Sequence, residues 1–213
     1  MSQPVSLDAL DLTALMCSRV CHDVISPVGA IVNGLEVLAD EKDESMKEVA
    51  LDLIKKSATQ ASARLQFARL AFGAAGSAGA QIDLGDAAAV AKGFLEDDRL
   101  KLEWNLPRAL LPKNRVKLLL NLLMIASSAI PRGGKLVIDP VGEGETMGFR
   151  LVAEGPNSRV PPHAESLLSG TPEQTLDAHH IQPFYTGMIA RAAGLAVSIA
   201  PEGSTIVLAA RPA

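Results

Sequence analysis

The sequence predicts an α+β fold in two parts, a helical hairpin followed by an α/β sandwich, and three observations predict it. Apolar residues recur at three- and four-residue steps through residues 7–73; a run of small residues, Gly73-Ala-Ala-Gly-Ser-Ala-Gly-Ala80, breaks that pattern; helical and strand periods alternate beyond it. A chain of 213 residues, 48% of them apolar, has the length for one or two domains and enough hydrophobic side chains to fill their cores. The boundaries read as a hairpin over residues 1–75, a linker over 76–82 and a mixed domain over 83–213.

Leu12, Met16, Val20, Val24, Ile31, Leu35 and Leu38 draw one stripe along a first helix over about residues 7–39, with Ser6 as its N-cap. The charged turn Asp40-Glu-Lys-Asp-Glu44 closes it, and Val49, Leu53, Ile54, Ala61, Leu65, Ala68 and Phe72 carry a second helix to about residue 73. Two antiparallel helices of about 45 Å leave much of their stripes uncovered, and pairing two hairpins into a four-helix bundle covers them. A homodimer is therefore expected.

Beyond the linker the pattern predicts a helix near 86–97, a strand at Leu100 to Trp104, a helix near 113–130, and strands at Lys135 to Asp139 and Gly148 to Ala153. An irregular stretch from Glu154 to Ile181 follows, then a helix to about Ala193 and a hairpin of Ala196 to Ala200 and Thr205 to Ala210 turned by Pro201-Glu-Gly203. Three helices against one sheet form a layered α/β domain.

Bulk properties exclude several classes. A net charge of −4 with no Lys/Arg-dense segment argues against nucleic acid, and one Trp, one Tyr and five Phe offer little stacking surface. The N-terminus lacks the order of a signal peptide and no run approaches about 20 apolar residues, so no membrane insertion and a cytoplasmic location are expected. Cys17 and Cys21 lie one turn apart with no second cysteine pair to complete a tetrahedral site; they read as reduced, helix-packed thiols, and no metal is expected.

The first helix also carries the chemistry. His22 lies about 200° round the helix from Val20 and Val24, so the stripe faces the core while the imidazole faces water. An exposed imidazole is mostly neutral, and nucleophilic, near neutral pH. One turn away lie Ser18, Arg19, Ile25 and Ser26, small or polar groups that leave it approachable, with one guanidinium able to attract phosphate. Pro27 loosens the turn just after the histidine. Asp23 either orients the ring and takes its proton or is a solvated acid, and Arg19 either balances phosphate charge or faces solvent.

Cys21-His-Asp-Val-Ile-Ser-Pro27 resembles the H-box of bacterial sensor histidine kinases, and Leu119-Leu-Asn-Leu-Leu-Met-Ile-Ala-Ser-Ser-Ala-Ile-Pro-Arg-Gly-Gly134 resembles their N-box helix and following turn without a gap. The resemblance spans nearly the whole chain and implies a histidine-kinase-like ATPase domain after the hairpin. It also shows departures. The magnesium-binding asparagine of the kinases falls on Ile125, with Asn121 one turn earlier at a packing position; an isoleucine cannot ligate Mg²⁺. Where the adenine-reading glycines belong stands Glu154-Gly-Pro-Asn-Ser-Arg-Val-Pro-Pro162, with Gly155 and Pro156 as remnants, and the glycine-rich phosphate-lid turn is missing, Gln182-Pro-Phe-Tyr-Thr-Gly187 having one glycine. The domain thus reads as degenerate, with no ATP binding expected.

A histidine joined to such a domain takes its phosphoryl group from another protein. The resemblance accordingly implies a histidine phosphotransferase of a multistep phosphorelay, of the dimeric, kinase-derived type found in alphaproteobacteria. It implies that His22 accepts phosphate from a receiver-domain aspartate of a CckA-like hybrid kinase and passes it to CtrA-like and CpdR-like response regulators of the cell cycle, with Mg²⁺ supplied by the receiver. His22 and Asp23 are then the catalytic candidates. Arg19, Ile25, Ser26, Val28 and Gly29 are candidates for receiver contact, Val28 being equally readable as bundle core, and Arg159 is a second contact in the altered loop. His163, His179 and His180 fall in the region of the kinase lid with no assigned role. An ATP-dependent kinase or ATPase with diverged motifs and a non-catalytic dimeric adaptor are the competing classes; nucleotide binding marks the first, and indifference to loss of His22 the second.

Overall fold

The structure, a computed structural model, describes residues 5–73 and 79–213. Helix α1 (Ala9–Asp40) and helix α2 (Glu44–Ala71) form the expected hairpin. Its N-cap is Asp8 rather than Ser6: the Asp8 carboxylate accepts from the amides of Leu10 and Asp11 at 2.7 and 2.9 Å, and its charge meets the positive end of the helix dipole. Asp43 caps α2 in the same way through the amide of Ser45. Small residues let the two helices approach closely. A Cβ added at Gly34 would stand 2.7 Å from Cγ1 of Ile54, and Ala50, Ser57 and Ala61 are buried along the same seam.

Pro27 sits inside α1, buried, and the helix runs through it. Proline has no amide to give to the carbonyl four residues earlier, which is that of Asp23. Arg64 of α2 donates its Nη1 to that carbonyl instead. The turn after His22 is thus re-bonded across the hairpin rather than loosened.

By length and composition α1 would also qualify as a membrane span, contrary to the expectation that no run does. It carries Asp11, Arg19, Asp23 and Glu36, and packs along α2 as half of a hairpin.

Residues 74–78, which hold the first part of the expected linker, lie outside the described residues. Gln81 and Ile82, also assigned to the linker, belong to strand β1 (Gln81–Asp83), which pairs antiparallel with β3 (Leu110–Pro112) in a small ribbon. Helix α3 (Leu84–Leu95) starts at once after β1, capped by Asp83. Then come β2 (Leu100–Trp104), α4 (Lys113–Ser128), β4 (Gly134–Val141), β5 (Gly148–Glu154), α5 (Ala164–Ser169), α6 (Ile181–Ala192), β6 (Leu195–Glu202) and β7 (Thr205–Pro212). A 3-10 turn spans Gly144–Thr146.

The main sheet has the order β2-β4-β5-β7-β6, with only the β2–β4 pair parallel because α4 carries the crossover between them. Register places Leu136 opposite Ala153, Ile138 opposite Leu151, and Leu151 opposite Leu208, so one face is a continuous apolar layer. Helix α3 packs on β2, α4 on β5 and β7, and α6 on β6. Helix α4 is enclosed almost all round, with every residue from Val116 to Ala126 buried. The closing hairpin turns at Gly203 and Ser204 with Gly203 at φ +61°, while Pro201 and Glu202 lie in the edge strand β6, where a missing amide costs no ladder bond.

Two apolar seams join the hairpin to the second domain. Near the start of α1, Leu7, Leu12, Leu15 and Met16 pack on the buried Leu167, Ile181 and Phe184. At the end of α2, Phe67 and Ala71 enter the main core, and the Phe67 ring stacks on Phe94 of α3 with centroids 4.1 Å apart. A polar bond reinforces the second seam: fully buried Asn121 donates Nδ2 to the carbonyl of Ala71 at 3.1 Å.

Candidate functional site

His22 lies on α1 with its side chain 63% exposed, as its position opposite the stripe predicts. Its Nδ1 stands 3.9 Å from Oδ1 of Asp23, beyond hydrogen-bond length. Asp23 is itself held. Arg19 donates Nε to Oδ2 at 3.0 Å, one turn before it on the same helix, and Arg64 bonds the main-chain carbonyl of the same residue. Arg19 is therefore engaged with Asp23 rather than free in solvent. Two guanidinium groups converge on the acid next to the exposed imidazole, and the carboxylate keeps that pair from carrying a bare positive field.

The residues expected to meet a partner divide by exposure. Ile25 is 70% exposed and Val28 43%, Ser26 is exposed, and Gly29 is half-buried with open space where a Cβ would stand. Ile25 and Val28 therefore form an apolar surface within two turns of His22. Arg159 is exposed on the loop after β5, its amide bonded to the carbonyl of Ala129. Cys17 and Cys21 are exposed free thiols, not packed ones, and line a groove of about 610 Å³ with Leu12, Met16, Leu65 and Tyr185. Burial pushes the Tyr185 hydroxyl above its ordinary pKa.

One residue reaches the site from the second domain. His179, on the loop before α6, places its ring edge-on to that of His22, with centroids 5.1 Å apart and planes at 78°. The loop is ordered by Asp177, whose Oδ1 accepts the amides of His179 at 2.8 Å and His180 at 2.9 Å and lies 2.8 Å from the His180 Nδ1. The His180 amide, with that of His179 and the His180 ring, holds the Asp177 carboxyl below the usual carboxylate range. His163 stands with its ring 6.2 Å from that of His180, at φ +60°. Among the described residues no three His, Cys, Asp or Glu side chains converge as a metal site. Sequence reasoning missed both His179 and Arg64 as members of the site. An adjacent pair of histidines was visible, but only the docking of α6 on α1 brings one of them to His22.

The positions aligned with a kinase nucleotide site have other occupations. Ile125 is 2% exposed inside α4. Asn121 donates Nδ2 to Lys117 as well as Ala71, and Gln182 donates Nε2 to its carbonyl and its Oδ1, both at 3.0 Å, while also reaching Thr186. Gly155 and Gly187 serve backbone packing: an added Cβ would stand 2.2 Å from the carbonyl of Gly133 in one case and 2.0 Å from that of Leu168 in the other. Burial, with Lys113 nearby, lowers the pKa of the Lys117 ammonium, which reaches toward the carbonyl of Phe72 at 3.5 Å.

Comparison with known proteins agrees with this layout. Residues 84–205 match the family described as histidine phosphotransferase C-terminal domain. The curated protein phosphotransferase ChpT of Brucella abortus (strain 2308) is 53% identical over 211 residues, covering 99% of this chain and all of that one. A solved bacterial phosphotransferase superposes with TM-score 0.89 at 50% identity, over 99% of this chain and 100% of its own. The histidine kinase AdeS of Acinetobacter baumannii matches at TM-score 0.47 and 15% identity, over 89% of this chain and 95% of that one. The family match over more than half of the chain and the 53% identity over its whole length show that the chain is a phosphotransfer enzyme and belongs to the histidine phosphotransferase family.

Proposed function

We propose that His22 is the phosphoacceptor of a multistep phosphorelay. The observation that carries this reading is the exposed His22 ring beside the Asp23 carboxylate, with Nδ1 3.9 Å from its Oδ1. In the forward step Nε2 attacks the phosphorus of a receiver's aspartyl phosphate in line; the N–P bond forms, the acyl O–P bond breaks, and the carboxylate leaves on the receiver. Positive charge gained by the ring is balanced by Asp23, which Arg19 holds in place. Transfer to the next receiver is the same step reversed. The receiver contributes its own Mg²⁺, and the chain itself needs no nucleotide: a buried Ile125 and an Asn121 engaged with Ala71, Lys117 and Gln182 support that reading.

The donor in this reading is a receiver of a CckA-like hybrid kinase, and the recipients are CtrA-like and CpdR-like regulators of the cell cycle, in the cytoplasm. Ile25, Ser26, Val28 and Gly29 form the docking surface beside the histidine, and Arg159 adds a contact from the second domain. The functional unit is a homodimer. Val32, Leu35, Val49 and Leu53 are large apolar side chains left exposed along the hairpin, and a second hairpin covers them in a four-helix bundle.

Incubation with a phosphorylated receiver domain in the absence of ATP tests the relay. Wild-type chain becomes labelled and passes the label to a second receiver, and His22→Ala does neither. Labelling of His22→Ala contradicts the assignment, and micromolar binding of ATP with Mg²⁺ favours a kinase instead. Regulator binding that survives His22→Ala with no transfer by wild type favours an adaptor. Sedimentation of Leu35→Lys as a monomer where wild type is a dimer tests the bundle.

A further inference from the structure

We propose that His179 is a positioning residue for His22: the second domain delivers one imidazole to set the plane of the other. The inference rests on the reading of His22 as phosphoacceptor and adds to it a residue outside the hairpin.

Nothing on α1 itself fixes the His22 ring. The nearest carboxylate oxygen, Oδ1 of Asp23, stands 3.9 Å from Nδ1, too far to lock the ring by a hydrogen bond, and a side chain 63% exposed lacks the packing to hold a rotamer. The edge-on ring of His179 supplies the missing constraint, at a separation and angle typical of aromatic pairs, 4.5–7 Å and T-shaped.

The backbone of His179 is held in place. Its amide is bonded to Asp177, the same carboxylate bonds the next amide, and two residues further on Ile181 is fully buried in the seam with Leu12, Leu15 and Met16 of α1. Leu176 on the same loop joins that seam. The loop therefore rides on α1 about two to three turns from the histidine it faces, and domain docking is converted into a ring orientation. In-line phosphoryl transfer depends on such orientation, since a reacting nitrogen aimed off the phosphorus axis loses the benefit of being held nearby. One face of the imidazole pair stays open, because His179 is also exposed.

The test compares wild type, His179→Phe, His179→Ala and His179→Asn in two measurements. The first is NMR cross-relaxation between the His22 ring protons and the side chain at 179, with the χ2 averaging of His22. The second is the rate of label transfer from a phosphorylated receiver domain without ATP. Phe keeps an edge-on ring, so His179→Phe retains an ordered His22 and transfers at nearly the wild-type rate. Ala and Asn remove the ring, so His22 averages over its wells and transfer slows about 2- to 10-fold. An ordered His22 with undiminished transfer in His179→Ala overturns the proposal. So does a His179→Phe protein as slow as His179→Ala with His179→Asn restored, which makes the contact one between a polar group and the phosphoryl oxygens. Labelling of His22→Ala removes the phosphoacceptor reading instead, and the NMR measurement then still decides whether His179 orients His22.

Discussion

Arg64 donates to the main-chain carbonyl of Asp23, the acceptor that Pro27 leaves without an amide. A proline placed one turn after the histidine thus creates a vacancy in the helix ladder, and a guanidinium on the opposite helix fills it. The residue next to the nucleophile is thereby tied to both helices of the hairpin, by its carbonyl to α2 and by its carboxylate to Arg19 of α1.

That relationship predicts a coupling. Arg64→Ala alone orphans a part-buried carbonyl and costs about 1–3 kcal/mol. In a Pro27→Ala background the new amide serves the same carbonyl, and Arg64→Ala costs less. Urea unfolding of the four proteins of the cycle measures the difference, expected at about 0.5 kcal/mol or more; additive costs contradict it.

Asp23→Asn keeps the shape of the side chain and removes the charge that faces Nδ1 and pairs with Arg19. Receiver-dependent labelling is expected to slow by about 10²-fold, the lower end of what a positioned acid or base contributes. Stability changes little, since a partly exposed ion pair contributes under about 1 kcal/mol. Stopped-time labelling together with thermal melting separates the two effects.

Asn121→Leu retains volume but removes the Nδ2 donor that serves the Ala71 carbonyl, while the Gln182 amide keeps the main-chain carbonyl of residue 121 and Thr186. A buried carbonyl that loses its donor costs about 1–3 kcal/mol. A lower urea midpoint is expected, with faster amide exchange in the last turn of α2 as the local signature.

Asp177 sets the acid limit of the loop that bears His179. Its carboxyl is held low by the His180 amide first and by the His179 amide and the His180 ring after it. A depressed carboxyl contributes stability above its unfolded pKa, about 3.9, and loses it as pH falls through the lower folded value. The loop therefore keeps its order at pH 5 and gives way only below about pH 4. Titration of the Asp177 carboxyl carbon by NMR checks this, and a midpoint above 3.9 contradicts it.

The hairpin and the sheet were legible because their periods are long: the α1 stripe repeats over seven apolar residues, and Leu136, Ile138, Phe149, Leu151 and Ala153 alternate as inward-facing strands do. What stayed hidden was short or tertiary. Three-residue β1 and β3 carry too little pattern to announce a strand, and six-residue α5 lay within a stretch read as irregular. Asp8 and Ser6 are equal candidates for a cap on composition, and only backbone geometry chooses between them. His22 and Asp23 were readable from helical phase. Arg64 and His179 were not, because each reaches the site by folding back from another element. Gly187 shows the same limit: noted only as the one glycine where a phosphate-lid turn is missing, it stands where α6 crosses the Leu168 carbonyl too closely for any side chain.

The two seams that clamp the second domain to the start of α1 and the end of α2 have a thermodynamic consequence for encounter. His22, Ile25 and His179 already share one surface before any other protein arrives. A visiting regulator meets a backbone already set in place by both seams, so the ordering cost of binding falls on exposed side chains such as Ile25 rather than on bringing the two domains together.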